Sequence, residues 1–180
     1  WPSRREKESQ PARSARPSPA PSEQPRTNLP AATSALIGRD LELQQLRTLV
    51  SAFRVVTLTG SGGIGKTELA VELARSVLPE FDDGVCLVEL AALADPQLVS
   101  SVVATALGRS ATGAMTTADG LARTIGMARI LLVLDNCEHL ADAAAHLINA
   151  IVRHCPNAWL LVTSREVMRV DGERVFRVSP

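Results

Sequence analysis

Lysine is nearly missing from this sequence: Lys7 and Lys66 are the only two, arginine having taken the other basic positions. Net charge is missing as well, since 19 Lys and Arg balance 19 Asp and Glu. The balance offers no ground for nucleic acid or an anionic membrane as a partner of the chain. Cysteine is sparse, with Cys86, Cys137 and Cys155 far apart and no CxxC pair. That spacing excludes a disulfide framework and a zinc knuckle, and fits reduced core thiols in a cytoplasmic protein. No apolar run reaches the roughly 18–20 residues that span a bilayer, and no leader pattern is visible. No internal repeat is present. The chain begins at Trp1 and stops at Pro180, straight after a strand-like segment, so it is expected to be a piece of a longer protein.

What is present divides into two regimes. Residues 1–30 are rich in Pro, Ser, Arg and Gln, with almost no aliphatic side chains. Such a segment cannot bury enough apolar area to offset its ordering entropy, and is expected to be a disordered linker. Arg4, Arg5, Lys7, Arg13, Arg16 and Arg26 outnumber Glu6, Glu8 and Glu23, so the segment is net basic. Acidic residues interrupt each basic cluster, which argues against a DNA-binding arm.

From Leu36 the pattern turns globular, and a domain is expected over residues 31–180. Helical spacing of Leu41, Leu46, Leu49 and Val50 predicts a helix over 40–52. RVVTLT at 54–59 reads as a strand, and 66–78 as a helix closed by Pro79. GVCLVEL at 84–90 is a second strand. Asp95 and Pro96 open a helix to about Leu107, followed by a loop and a weaker helix near 121–127. The wholly apolar ILLVL at 130–134 suits the centre of a parallel sheet covered on both faces. A helix over 140–154, a strand WLLVT at 159–163 and a strand RVFRV at 174–178 complete the alternation. The fold class is therefore α/β, a doubly wound parallel sheet whose ligand lies at the carboxyl ends of the strands.

Residues Gly60, Ser61, Gly62, Gly63, Ile64, Gly65, Lys66 and Thr67 match the Walker A pattern G-x-x-x-x-G-K-[ST] without deviation. At ordinary glycine usage, a chance match in a chain this long is on the order of one in a hundred. The motif also sits between a strand and a helix, where the mechanism needs it. Glycines let the backbone wrap a phosphate, and the helix beyond adds the positive end of its dipole. Lys66 is expected at the β/γ-phosphates and the Thr67 hydroxyl on Mg²⁺, with Glu68 next to them. A compact ammonium kept in a chain that otherwise uses arginine strengthens the assignment. ATP or ADP with Mg²⁺ is the expected ligand.

A P-loop commonly works with an acid at the end of another buried strand. Asp135 ends ILLVLD and fits that metal-associated place. Asn136 follows instead of a second acid, and the nearest further carboxylate is Glu138. An amide can orient a water but polarises it less than a carboxylate, so slow hydrolysis is expected. Glu138 has two readings: a base for that water, or a charge complementing a helix start. Arg165, after Thr163 and Ser164, ends a strand at the same sheet edge and could face a γ-phosphate. His139 reads as a hydrogen-bond partner at a helix start, while His146 and His154 suggest no metal site.

The ordered set LIGRD (36–40), GSGGIGKT, LLVLDNCEHL, LLVTSRE and ERVFRVSP resembles the NB-ARC-like module of signal-transduction ATPases, the STAND class of P-loop NTPases. It is most similar to modules of bacterial transcriptional regulators that carry a winged-helix or LuxR-type domain. The resemblance spans about Asn28 to Pro180. It implies a five-stranded sheet in the order 5-1-4-3-2, with Ile37, Gly38 and Arg39 by the adenine and ribose. It places Gly60–Thr67 on the phosphates, Asp135 near Mg²⁺ and Arg165 as the sensor. It further implies a switch, ADP-bound at rest and ATP-bound and homo-oligomeric when triggered, which reaches DNA only through a domain outside this chain. The family's nucleotide-contacting proline and histidine would lie beyond Pro180, so the chain alone should bind nucleotide more weakly.

Two further functions fit the same residues: an AAA+-type ATPase performing mechanical work, and a non-hydrolysing interaction scaffold. Asn136 favours a switch over a motor, and intact Lys66, Thr67 and Asp135 argue against a scaffold. The missing NKxD motif disfavours a GTPase. No lid segment follows the last strand, which disfavours a small-molecule kinase.

Overall fold

A computed structural model describes residues 27–31 and 38–179. Ile37 and most of the proposed linker lie outside the described residues. Five parallel strands form one sheet in the order β2-β3-β4-β1-β5, which is 5-1-4-3-2 read from the other edge. They are β1 (Val55–Thr59), β2 (Val85–Glu89), β3 (Ile130–Asp135), β4 (Ala158–Ser164) and β5 (Glu173–Arg177). The helices are α1 (Asp40–Ala52), α2 (Lys66–Val77), α3 (Val99–Ala106), α4 (Ala118–Ile125) and α5 (Ala141–His154). Among the described residues, no helix is long and apolar enough to cross a membrane.

The apolar central strand works as its composition predicts. Alternate residues of β3 enter opposite cores: Leu131 and Val133 meet α1 and α2, whereas Ile130, Leu132 and Leu134 meet α3, α4 and α5. All six residues of β3 are buried. Each fully buried leucine there contributes about 1.5–3 kcal/mol relative to exposure. The three cysteines are free and buried, as expected for core thiols.

Three sequence expectations shift. Leu41 is 74% exposed, because the buried stripe of α1 runs through Leu46 and Val50, with Leu43 and Leu49 half-buried. At 100° per residue, Leu41 lies well round the helix from Leu46. Helix α4 starts at Ala118, three residues earlier than the sequence pattern indicates, with Thr117 Oγ1 accepting from the Gly120 N–H at 3.2 Å. Gly120 hides that start, since glycine disfavours helix. It is needed because a Cβ there would lie 1.9 Å from the Ala114 carbonyl oxygen.

The third shift concerns the domain boundary. Thr27 forms a parallel bridge with Val85, on the outer edge of β2. The Asn28 side-chain amide donates to the Leu87 carbonyl at 2.8 Å and accepts from the Leu87 N–H at 2.7 Å. Leu29 packs on the α1/α2 core, and Arg75 donates to the Pro30 carbonyl. A boundary at residue 30 therefore cuts through a docked segment, and the folded unit reaches back at least to Thr27. Composition could not reveal this, since the attachment runs through one bridge, one amide, one leucine and one carbonyl rather than through an apolar pattern.

Candidate functional site

Register brings the chemistry to one sheet edge. Thr59 pairs with Ser164 across β1 and β4, and Glu89 pairs with Asp135 across β2 and β3. The strands therefore end level, with Gly60 leaving β1 beside the last residues of β4. A cleft of about 590 Å³ opens there, lined by Gly62, Gly63, Gly65, Lys66, Thr67, Glu68, Ala91, Asn136, Glu138, His139 and Arg165.

The loop at Gly60–Thr67 is built for close approach. Gly65 caps α2 with φ 90°, a left-handed conformation that a side chain would strain. Lys66 opens the helix, yet its side chain folds back and is only 6% exposed. Its ammonium donates to the carbonyls of Gly60 and Ser61, each at 2.9 Å. Two of its three N–H donors thus hold the loop closed, leaving one. Among the described residues, the backbone N–H groups of Gly62, Gly63 and Gly65 have no backbone acceptor. A cradle of unused donors at a helix N-terminus, beside a buried cation, has the chemistry to hold a phosphate.

Asp135 closes the other side. It is 2% exposed, and its Oδ1 accepts from the Thr67 hydroxyl at 2.8 Å and from the Thr163 hydroxyl at 2.5 Å. Both bonds fall on one oxygen, so Oδ2 keeps its acceptor capacity. A hydroxyl and a carboxylate are hard oxygen donors of the type magnesium takes. Among the described residues, no three His, Cys, Asp or Glu side chains converge. A cation held here would therefore draw on Thr67, Asp135 through water, and the oxygens of a phosphate ligand.

Beyond Asp135 the backbone turns sharply. Asn136 sits in the left-handed region at φ 60° and ψ 54°, and its N–H donates to Thr163 Oγ1 at 3.0 Å. The turn sends the chain into a short 3₁₀ helix, Cys137–Leu140, that carries Glu138 and His139 to the cleft. His139 Nε2 bonds the Leu93 carbonyl at 3.0 Å, a hydrogen bond at a helix start as expected. Glu138 Oε1 pairs with Arg165 Nε at 3.2 Å, while Glu138 Oε2 is buried without a partner. Arg165 itself is 65% exposed and lies close to the loop, its Nη2 being 3.4 Å from where a Gly62 Cβ would sit.

The remaining candidates are placed differently. Glu68 lines the cleft from the first turn of α2. Gly60, Ser61 and Ile64 form the body of the loop without lining the cleft. Arg39 lies behind it. Its guanidinium bonds Glu42 at 2.7 Å, the Ser179 carbonyl at 2.8 Å and the Ile64 carbonyl at 3.3 Å. It thus braces the back of the loop against the chain beyond β5. Gly38, at φ 77°, precedes it. Sequence reasoning assigned no part to Thr163, whose hydroxyl joins Asp135 to Asn136. A signal existed: with β4 beside β3, the polar residue ending an apolar strand falls level with Asp135.

Comparison with known proteins agrees with this geometry. A family model described as an AAA domain matches residues 50–170. An uncharacterised protein of Mycobacterium tuberculosis is 40% identical over 147 residues, covering 82% of this chain and 37% of that protein. A protein of the same species, named as a putative HTH-type transcriptional regulator, is 43% identical over 133 residues, or 74% of this chain and 15% of its own length. The regulatory protein AfsR of Streptomyces griseus is 34% identical over 156 residues, with coverages of 79% and 15%. This chain thus spans well under half of each relative.

Solved structures share the fold. The ORC2 protein of Aeropyrum pernix, solved in ADPNP–ADP complexes, superposes with TM-score 0.61 at 15% identity, covering 79% of this chain and 48% of its own. A signal transduction ATPase with numerous domains, from Pyrococcus horikoshii, gives TM-score 0.52 at 16% identity, with coverages of 87% and 24%. The relatives are of the kind that the sequence resemblance named. On the match over most of its folded part, together with the sheet order and the loop after β1, the chain belongs to the AAA-domain family of P-loop proteins.

Proposed function

We propose that this domain binds ATP and ADP, with Mg²⁺, as a regulatory switch within a larger transcriptional or signalling protein, and hydrolyses ATP slowly. The observation that carries the reading is the Arg165–Glu138 pair at the mouth of the cleft. An exposed guanidinium beside the phosphate loop, held by one carboxylate oxygen, is free to exchange that partner for a γ-phosphate. ADP offers no such group. The occupancy of the site would then set where the end of β4 points.

The other residues take simple parts. Lys66 and the loop N–H groups bind the β- and γ-phosphates, while Thr67 and Asp135 hold Mg²⁺, which would neutralise phosphate charge when bound. Arg39 and Gly38 support the loop and approach the nucleoside, with Ile37 preceding them. Glu138 Oε2 is buried without a donor, so it would reach a water in the cleft only once Arg165 releases the carboxylate. Its partner Arg165 holds that carboxylate away from efficient base catalysis, and Asn136 can orient a water without deprotonating it. Both features support slow turnover over mechanical work. The relative named as an HTH-type regulator supports a DNA-binding domain elsewhere in the whole protein, and ATP-dependent self-association there is what the family resemblance implies.

The test is to denature the purified full-length protein and identify the nucleotide released. Retained ADP, with ATP binding lowered at least tenfold by Lys66→Ala, is the expected result. No released nucleotide, together with equal ATP affinity in the wild type and Lys66→Ala, would refute it.

A further inference from the structure

We infer that Thr163 is the positioning residue that presents Asp135 to the metal, and that it does so by joining two neighbouring groups of β3 through one hydroxyl. The inference rests on the nucleotide reading above and deepens it. Thr163 is fully buried on β4, where Ser164 is the one other buried polar residue and the rest of the buried positions are apolar. Its hydroxyl donates to Asp135 Oδ1 at 2.5 Å and accepts from the Asn136 N–H at 3.0 Å. A hydroxyl has one donor and two acceptor sites, so the donor and one acceptor site are engaged here.

Each bond does separate work. The donated bond fixes the rotation of the Asp135 carboxylate. With Oδ1 saturated by Thr67 and Thr163, Oδ2 is the oxygen left for a metal-bound water. Without Thr163, the carboxylate could turn and offer either oxygen, and the Thr67 hydroxyl would follow it. The accepted bond satisfies the N–H of Asn136 and so holds in place its left-handed turn at φ 60°, a conformation that asparagine tolerates better than most non-glycine residues. Asn136 consequently faces the cleft. Glu138, two residues on, is carried to Arg165 by the same turn. The metal-facing carboxylate and the γ-phosphate sensor are thus tied to one strand end, Thr163 bonding the first and Arg165 following Ser164 as the second.

The experiment measures ATP affinity of the full chain with Mg²⁺ and with EDTA, in the wild type, Thr163→Val and Thr163→Ser. Valine keeps the shape and removes the hydroxyl, whereas serine keeps the hydroxyl. Removing an outer-shell partner of a metal ligand typically lowers metal affinity about 10–100-fold. Thr163→Val should therefore lose at least tenfold of the Mg²⁺-dependent gain in ATP affinity, with the EDTA value unchanged within twofold. Thr163→Ser should regain most of that loss. If Thr163→Val does not fold, Thr163→Cys, with a weaker donor, should fall between serine and the loss expected of valine. A Mg²⁺-dependent gain equal in all variants overturns the inference, as does an equal loss of affinity in EDTA. Failure of the wild type to bind ATP at all would instead refute the nucleotide reading itself.

Discussion

Replacing Arg165 by alanine separates its two possible partners, because they predict effects of different size on different quantities. Its ion pair with Glu138 spans 3.2 Å, but the guanidinium is 65% exposed. A pair so open to water contributes about 0–1 kcal/mol to folding, so stability should hardly move. A hydrogen bond from the same group to a γ-phosphate in the cleft is charge-assisted, and such bonds are worth about 1.5–3 kcal/mol. At 1.4 kcal/mol per decade, Arg165→Ala should lower ATP affinity roughly 10–100-fold. ADP affinity should stay within about twofold, since ADP has no group at that position.

Glu138→Gln probes the opposite arm of the same pair. It removes the charge competing for Arg165 and should raise ATP affinity by up to about fivefold, the equivalent of ~1 kcal/mol. The double variant Arg165→Ala, Glu138→Gln should show no such gain, because the competition has gone. Competitive displacement of a fluorescent nucleotide by ATP and ADP, in all four proteins, gives each ratio directly. An ATP-to-ADP ratio unchanged by Arg165→Ala would refute the assignment. So would a gain from Glu138→Gln that persists without Arg165.

Two further predictions concern the fold. Gly120→Ala, which by helix propensity alone would stabilise by about 0.8–1 kcal/mol, should instead destabilise by roughly 1–3 kcal/mol, read by urea denaturation, because the new methyl would meet the Ala114 carbonyl at 1.9 Å. Burial pushes the Cys86 thiol up to about 11 from an ordinary value of 9.0. Above pH 9 the unfolded chain sheds this proton before the folded one, so stability should fall between pH 9 and 11, and Cys86→Ala should flatten that slope in thermal melts.

The fold was legible where single residues carry strong local signals. The unbroken apolar run of β3 announced a strand buried on both faces, and the glycine-rich loop announced the end of β1. Even the helix bounds of α1 followed from sequence. Its buried face was misread only at Leu41, where the correctly spaced Leu46, Leu49 and Val50 made one more leucine look like their neighbour. What escaped was pairwise. The start of α4 depends on a 3₁₀ turn packing against Gly120, and nothing in residues 118–127 records that turn. Thr163 looked like one more β-branched residue ending a strand. Its place beside Asp135 exists only once β4 lies next to β3. The meeting of Glu138 with Arg165 likewise requires the left-handed turn at Asn136, which no pattern of apolar residues encodes.

The docking of Asn28 on β2 bears on how the domain survives when handled in isolation. Strand β2 lies at one margin of the sheet, and an open margin can template a strand from another molecule. Asn28 blunts it by occupying both the N–H and the C=O of Leu87 with a side chain, which has no further backbone to propagate a ladder. A shortened chain begun at Leu36, where the sequence first turns apolar, would discard that plug along with Leu29. Such a chain should form soluble aggregates on concentration, and one begun ahead of Thr27 should not.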